Sequence, residues 1–164
     1  MIYVRISGNT QQYHMELNMI EIRESTLNEI RVFEKWQSDK SVARWIHIDD
    51  WENYYNIFRD NPNYLILSAF KDHKLVGEVS IQIEAKEAYI SLIIAPDLQG
   101  QGIGTKVLKE ICTKTLIKYP IDSIVAVISP LNKASIRCFE KAGFAFSHED
   151  EDGEKMYKYD IERK

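Results

Sequence analysis

The chain has 164 residues, 45% hydrophobic and 28% charged, the size and balance of one folded domain; disordered, collagen-like and low-complexity classes are excluded. No apolar run approaches the 18 or so residues of a membrane span, and the opening MIYVRISGNTQQYHMELN lacks a basic region followed by an apolar signal core, so the expected location is the cytoplasm, with no membrane partner. The net charge of −4 is uneven: residues 102–141 carry seven basic and three acidic groups, a local +4 between acidic flanks. Such a segment can attract a polyanionic ligand, whereas the acidic remainder argues against a nucleic-acid binder. Cys112 and Cys138 have neither CxxC nor metal-ligand spacing; both read as buried thiols, and no metal site is expected.

In chain order, Ile2–Ile6 and about Met19–Ile22 alternate as short strands. Ser25 or Thr26 can cap a helix from Leu27 to about Ser38, with Leu27, Ile30, Val32, Phe33 and Trp36 as its apolar stripe. A second helical stretch is expected from Ser41 to Phe58, broken near Asp49 and Asp50. The period then changes from helical to extended, giving strands Tyr64–Phe70, Leu75–Ile83 and Ala88–Ala95. A glycine-rich turn, Pro96–Gly104, leads into a helix from Gly102 to Ile117. Ile121–Ile128 reads as a strand buried on both faces, Asn132–Ala142 as a helix ended by Gly143, and Phe144–Ser147 with Lys155–Ile161 as a hairpin around Asp152-Gly153. Strands and helices are mixed, which predicts an α/β or α+β domain with a strand, glycine loop, helix, strand, helix unit at its centre.

Three glycines within five residues at a strand-to-helix turn let a ligand approach the backbone, and the first N–H groups of the helix point at whatever sits there. An anion, diphosphate above all, suits that position. The spacing is neither a Walker loop, GxxxxGK[ST], nor a dinucleotide GxGxxG. It reads Q-x-x-G-x-G over Gln99, Gly102 and Gly104, after the strand Tyr89–Ala95 and Pro96.

This pattern resembles the acetyl-coenzyme A signature of the GNAT superfamily of N-acetyltransferases. One strand later, Asn132-Lys133-Ala134-Ser135-Ile136-Arg137-Cys138-Phe139-Glu140-Lys141-Ala142-Gly143-Phe144 is similar to the family's second cofactor segment, N-x-x-[SA]-x-x-x-[YF]-x-x-x-G-F. Trp36–Asp39 and Val42–Trp45 resemble the branch holding ribosomal-protein, spermidine and some aminoglycoside acetyltransferases. The resemblance implies one domain over residues 1–164, built on a central mixed, twisted sheet of six to seven strands flanked by helices. Its cofactor-binding part is expected over about 88–144. It further implies acetyl-coenzyme A as co-substrate and a small cationic or peptidic amine as acceptor, in a monomer or homodimer.

By the same resemblance, Gln99 and Gly100 belong to the cofactor-binding loop, the backbone N–H groups of Gln101, Gly102, Ile103, Gly104 and Thr105 hold the diphosphate, and Ile93 and Ile94 pair with the pantetheine arm. Asn132 bonds the pantetheine or its sulfur end, and Lys133, Arg137 and Lys141 face the nucleotide phosphates. Phe139 stands where many members have a Tyr that protonates the departing thiolate. Phe cannot donate a proton, so the general acid is open, with Cys138, Ser129 and Tyr89 nearby in sequence. The alternative reading is a non-catalytic acyl-coenzyme A-binding module. The amine must lose a proton, and Glu78 and Glu87 are the carboxylates considered for that work, against the ordinary reading of each as a solvated strand residue. Residues 49–60, with Asp49, Asp50, Glu52 and Asp60 among aromatic residues, and the tip Glu149–Glu154, with five acids in six residues, could line a cationic amine site; a tip of that kind is otherwise a solvated turn.

Overall fold

The computed structural model describes residues 19–163. The strand expected at Ile2–Ile6 lies outside them. Strand β1 (Ile20–Glu24) leads to helix α1 (Leu27–Gln37), where Thr26 and Glu29 form a reciprocal capping box. The next stretch departs from expectation. Only one turn, α2 (Lys40–Ala43), forms before the chain leaves the helix at Arg44, and α3 (Trp51–Phe58) starts afresh with Asp50 as its cap, accepting from Asn53 N at 2.8 Å. Gln37 is the reason: its Oε1 accepts from Ile48 N at 2.8 Å and Trp51 Nε1 at 3.1 Å, while its Nε2 donates to Ile48 O at 3.1 Å. After a turn at Arg44 and Trp45, these bonds hold residues 46–50 outside a helix and satisfy backbone groups that a helix would have used.

Strands β2 (Tyr64–Lys71), β3 (Lys74–Glu84) and β4 (Glu87–Ile94) follow as antiparallel neighbours. A turn at Pro96–Leu98 joins β4 to α4 (Ile103–Glu110), whose last stretch widens over Ile111–Thr115 and tightens over Leu116–Lys118. Then come β5 (Ser123–Ile128), α5 (Lys133–Lys141), β6 (Ala145–Glu149) and β7 (Lys155–Asp160). The seven strands form one mixed sheet in the order β1-β2-β3-β4-β5-β7-β6, parallel only between β4 and β5. This is the mixed α/β architecture that the sequence implies.

The sheet's two faces are packed differently. Leu67, Val79, Ile81, Ile90, Ile124 and Ala126 meet Val107, Leu108, Ile111 and Phe139 of α4 and α5 in the larger core. Ile66 and Ile93 point the other way, against Ile30, Phe33, Val42 and Trp51 of α1 to α3. Those three helices lie over the β1–β4 half of the sheet. On the same face of β5, Val127 is left half exposed.

Candidate active site

Strands β4 and β5 pair only at Glu87 with Ser123, Ala88 with Ile124 and Tyr89 with Val125. Beyond those residues each keeps its other neighbour, β4 pairing with β3 as far as Ile94 and β5 with β7 as far as Ile128. The two strands therefore diverge, and one edge of β4 from Ile90 to Ile94 is released from the ladder. Between them lies a cleft of about 890 Å³, large enough for a sizeable ligand.

One wall of the cleft is the glycine turn. Gly100 and Gly102 take φ of 74° and 79°, and Gly102 is the residue before the first helical turn of α4. A Cβ at either would meet nothing within 4 Å, so the conformation, not crowding, selects glycine. The first helical bond runs from Lys106 N to Gly102 O; the N–H groups of Ile103, Gly104 and Thr105 precede it and lack acceptors within the helix. Gly104 is required for another reason: a Cβ would lie 2.8 Å from Cys138 Sγ and 3.4 Å from Ile94 Cγ1, so its bare backbone lets α4 close onto α5. Gln99 Nε2 donates to Ile94 O at 3.1 Å and so ties the turn to the end of β4.

Of the cofactor residues expected from sequence, Ile93, Ile94, Gln99, Gly100, Gly102, Gly104, Thr105, Asn132, Phe139 and Lys141 all line this cleft, together with Arg137. Gln101 and Ile103 do not line it. Gln101 Nε2 donates to Asp97 O at 3.2 Å, and Ile103 is buried in the core, which leaves only their backbone to serve a ligand. Asn132 caps α5, its Oδ1 accepting from Ser135 N at 3.2 Å. Arg137 and Lys141 form no ion pair among the described residues. Two unpaired cations and a helix N-terminus facing one cavity could together hold an anion. Lys133 is exposed and outside the lining.

The two carboxylates meet opposite environments. Glu78 is 1% exposed, beside Ser68 and Ile93 in the sheet, and accepts a hydrogen bond from Ser80 Oγ. Its reading as a solvated strand residue is corrected: the helices α1–α3 cover this part of the sheet. Burial, only partly offset by the Ser80 bond, pushes its carboxyl up to about 8. Ser80 Oγ also lies 2.7 Å from Tyr54 Oη, which is 2.8 Å from Tyr64 Oη. Desolvation and the nearby Glu78 raise the Tyr54 phenol, so it stays protonated. Ser91, the cross-strand neighbour of Ser80, lines the cleft. The polar row Glu78, Ser80, Ser91 thus reaches from the protein interior to the cavity.

Glu87 sits at the other end of β4, roughly 23 Å of strand from Ile94 at about 3.3 Å per residue. It accepts from Lys158 Nζ at 2.6 Å, Ser123 Oγ at 3.2 Å and Tyr89 Oη at 3.3 Å, and these contacts, Lys158 first, hold its carboxyl below the usual range. Glu87 does not reach the cleft. Among the acid candidates, Tyr89 is engaged with Glu87, and Ser129 Oγ accepts from Leu131 N at 3.4 Å. Cys138 is half buried, not buried as expected; desolvation raises its thiol, and Thr105 Oγ1 lies 3.7 Å from Sγ. Cys112 is a core thiol pushed up to about 12 by burial. Phe139 stacks edge-on against Phe144 with centroids 5.0 Å apart.

The acids of residues 49–60 lie outside the cleft lining. Asp50 is spent as a cap, and Trp51 is core. Facing the cavity instead are Arg44, Trp45 and Ile46, from the segment that Gln37 clamps, and Glu154 alone from the acidic hairpin tip. For Arg44 and Trp45 the sequence signal was only the weak likeness at Val42–Trp45, and for Glu154 it was the acid-rich tip; nothing local marks Ile46 or Ser91.

A sequence profile of the Acetyltransferase (GNAT) family matches residues 30–144. Over 131 residues the chain is 28% identical to an uncharacterized N-acetyltransferase, YfmK, of Bacillus subtilis (strain 168), covering 76% of this chain and 86% of that protein. Its fold is similar to that of the aminoglycoside acetyltransferase AAC(6')-Ib with coenzyme A, with a TM-score of 0.75 at 19% identity over 87% of this chain and 95% of the other. It is similar also to that of spermidine N-acetyltransferase from Vibrio cholerae with CoA and spermine, with a TM-score of 0.74 at 13% identity over 87% and 95%. With the profile spanning most of the domain, the parted strands and the glycine turn place this chain in the GNAT acetyltransferase family.

Proposed function

We propose that the protein is an N-acetyltransferase that moves an acetyl group from acetyl-coenzyme A to the primary amine of a small cationic or peptidic acceptor. The observation that carries this reading is the cleft between β4 and β5, where a free strand edge, the N-terminus of α4 and the unpaired Arg137 and Lys141 converge. The N–H groups of Ile103 to Thr105 would hold the diphosphate, Arg137 and Lys141 further phosphate charge, and the open edge of β4 the amide-bearing arm. Acetyl-coenzyme A, when bound, supplies a thioester whose carbon the amine attacks directly, forming the C–N bond and breaking C–S.

Glu78 is the residue proposed to take the amine proton, by way of Ser91 and Ser80. A base works best with a pKa near the working pH, and burial has put Glu78 there. Glu87, already ionised and ion-paired, lies far from the cavity. No side chain of the described residues is assigned as general acid. A thiolate is a tolerable leaving group, and the lack of a positioned acid costs typically 10²- to 10⁴-fold, not all activity.

Amine-dependent release of free thiol from acetyl-coenzyme A, measured over a panel of primary amines, tests the reading; the expected result is turnover with at least one class. Phe139 favours the second reading, a non-catalytic acyl-coenzyme A-binding module. That reading predicts tight coenzyme A binding in calorimetry with no thiol release from any amine, unchanged in Phe139→Tyr.

A further inference from the structure

Two charged side chains line the cleft away from its phosphate wall, and among the described residues neither makes an ion pair: Arg44 and Glu154. Arg44 stands across the sheet from the glycine turn. Val42, two residues before it, packs with Ile93, Phe33 and Trp51 on one face, whereas Gly104 lies against Leu92 and Ile94, whose side chains point to the other. Arg44 thus follows Val42 on the α1–α3 side of the sheet, whereas the glycine turn lies on the α4 side of the same cavity. The Arg44 guanidinium is held 5.8 Å from the Trp45 ring, at the start of the segment fixed by Gln37.

Glu154 is fixed by backbone bonds in both directions with Asp150, its N–H donating to Asp150 Oδ1 at 2.9 Å and its carbonyl accepting from Asp150 N at 3.0 Å. The next residue, Lys155, pairs with Ile128 at the open end of β5. A cation on the α2 side and an anion on the β7 side thus belong to one cavity, with Ser91 also in its lining.

We propose that this pair selects the acceptor: a primary amine that also carries a carboxylate, as in amino acids and acidic peptide ends. The proposal rests on the acetyltransferase reading and narrows it. A planar guanidinium binds a carboxylate through two parallel N–H···O bonds, and Glu154 attracts the ammonium end on entry. A diamine would set its second cation against Arg44, and a neutral amine would leave Arg44 without a counter-charge.

The test is kcat/KM for thiol release with three matched acceptors of equal chain length: 6-aminohexanoate, its amide and the corresponding diamine. The expected result is a preference for the carboxylate over the amide of about tenfold or more, abolished in Arg44→Gln and reversed in favour of the diamine in Arg44→Glu, while Glu154→Gln lowers all three acceptors together. Turnover with a carboxylate-to-amide ratio near one, or a ratio that Arg44→Gln leaves unchanged, would overturn the selection and leave the acetyltransferase reading standing. Absence of thiol release with every amine would remove both.

Discussion

The two sides of the sheet hold the same kinds of strand but do different physical work. On the α4 and α5 side the strands are apolar, and the chemistry is backbone: two glycines with positive φ, an uncapped helix start and two cations at the rim. On the α1 to α3 side a carboxylate and three serines are buried among Phe33, Trp51 and Tyr54, each tied to a side-chain partner. Anchoring a large anion needs exposed donors and little side-chain chemistry. Raising a carboxylate toward neutrality needs the opposite, a site from which water is excluded. The cleft opens where the two meet, because β4 presents Leu92 and Ile94 to one side and Ser91 and Ile93 to the other.

This division is open to attack from each side. The largest effect is expected on the anchoring side. Gly102→Asp places a side chain at φ 79°, a strain of about 1–2 kcal/mol, and sets a carboxylate against bound phosphate, about 4 kcal/mol at close range. Coenzyme A affinity should fall by roughly three decades in calorimetry, while the melting temperature moves only by the strain, since the new Cβ has open space.

On the other side, Glu78→Gln addresses stability. A carboxyl raised from 4.5 to about 8 favours the fold fully below pH 4.5 and loses that contribution as pH rises through 8. Wild type should therefore weaken between about pH 4.5 and 8, by up to about 5 kcal/mol, and the glutamine variant should lack that loss in denaturant titrations. Equal pH dependence in both proteins would mean that Glu78 is not desolvated.

Gly104→Ala comes next. Its Cβ would meet Cys138 Sγ at 2.8 Å, an overpacking cost of about 1–3 kcal/mol, relieved in the double variant with Cys138→Ala. The smallest effect is expected at Glu87. Its pair with Lys158 is half exposed, so Glu87→Gln should cost about 1 kcal/mol or less and leave thiol release unchanged.

What was legible in the sequence follows the same division. The glycine turn, the helix after it and the Asn132–Phe144 segment depend on local backbone requirements, and local requirements leave residue patterns. The element order was readable for the same reason, since alternation and helical spacing act over a few residues. The break after Ala43 was not readable, because it depends on Gln37 reaching Ile48 and Trp51 across 11 and 14 residues. Nor was the difference between Glu78 and Glu87. Both are glutamates on adjoining strands; one is buried because α1 to α3 fold over it, and the other pairs with a lysine 71 residues away. The acidic stretch 49–60 misled by composition, its Asp50 being a helix cap and its Trp51 and Tyr54 packing inward.

In the proposed reaction an amine in the cleft gives its proton to Glu78 while the glycine-turn side holds the acyl donor. The most direct measurement is the pH dependence of amine-stimulated thiol release in wild type and Glu78→Gln at saturating acetyl-coenzyme A. The wild-type rate should rise through an inflection near pH 8, the value to which burial brings Glu78, and the variant should be slower by roughly a hundred- to a thousandfold with that inflection gone. The same inflection in both proteins, or thiol release that does not depend on the amine, would contradict the proposed reaction.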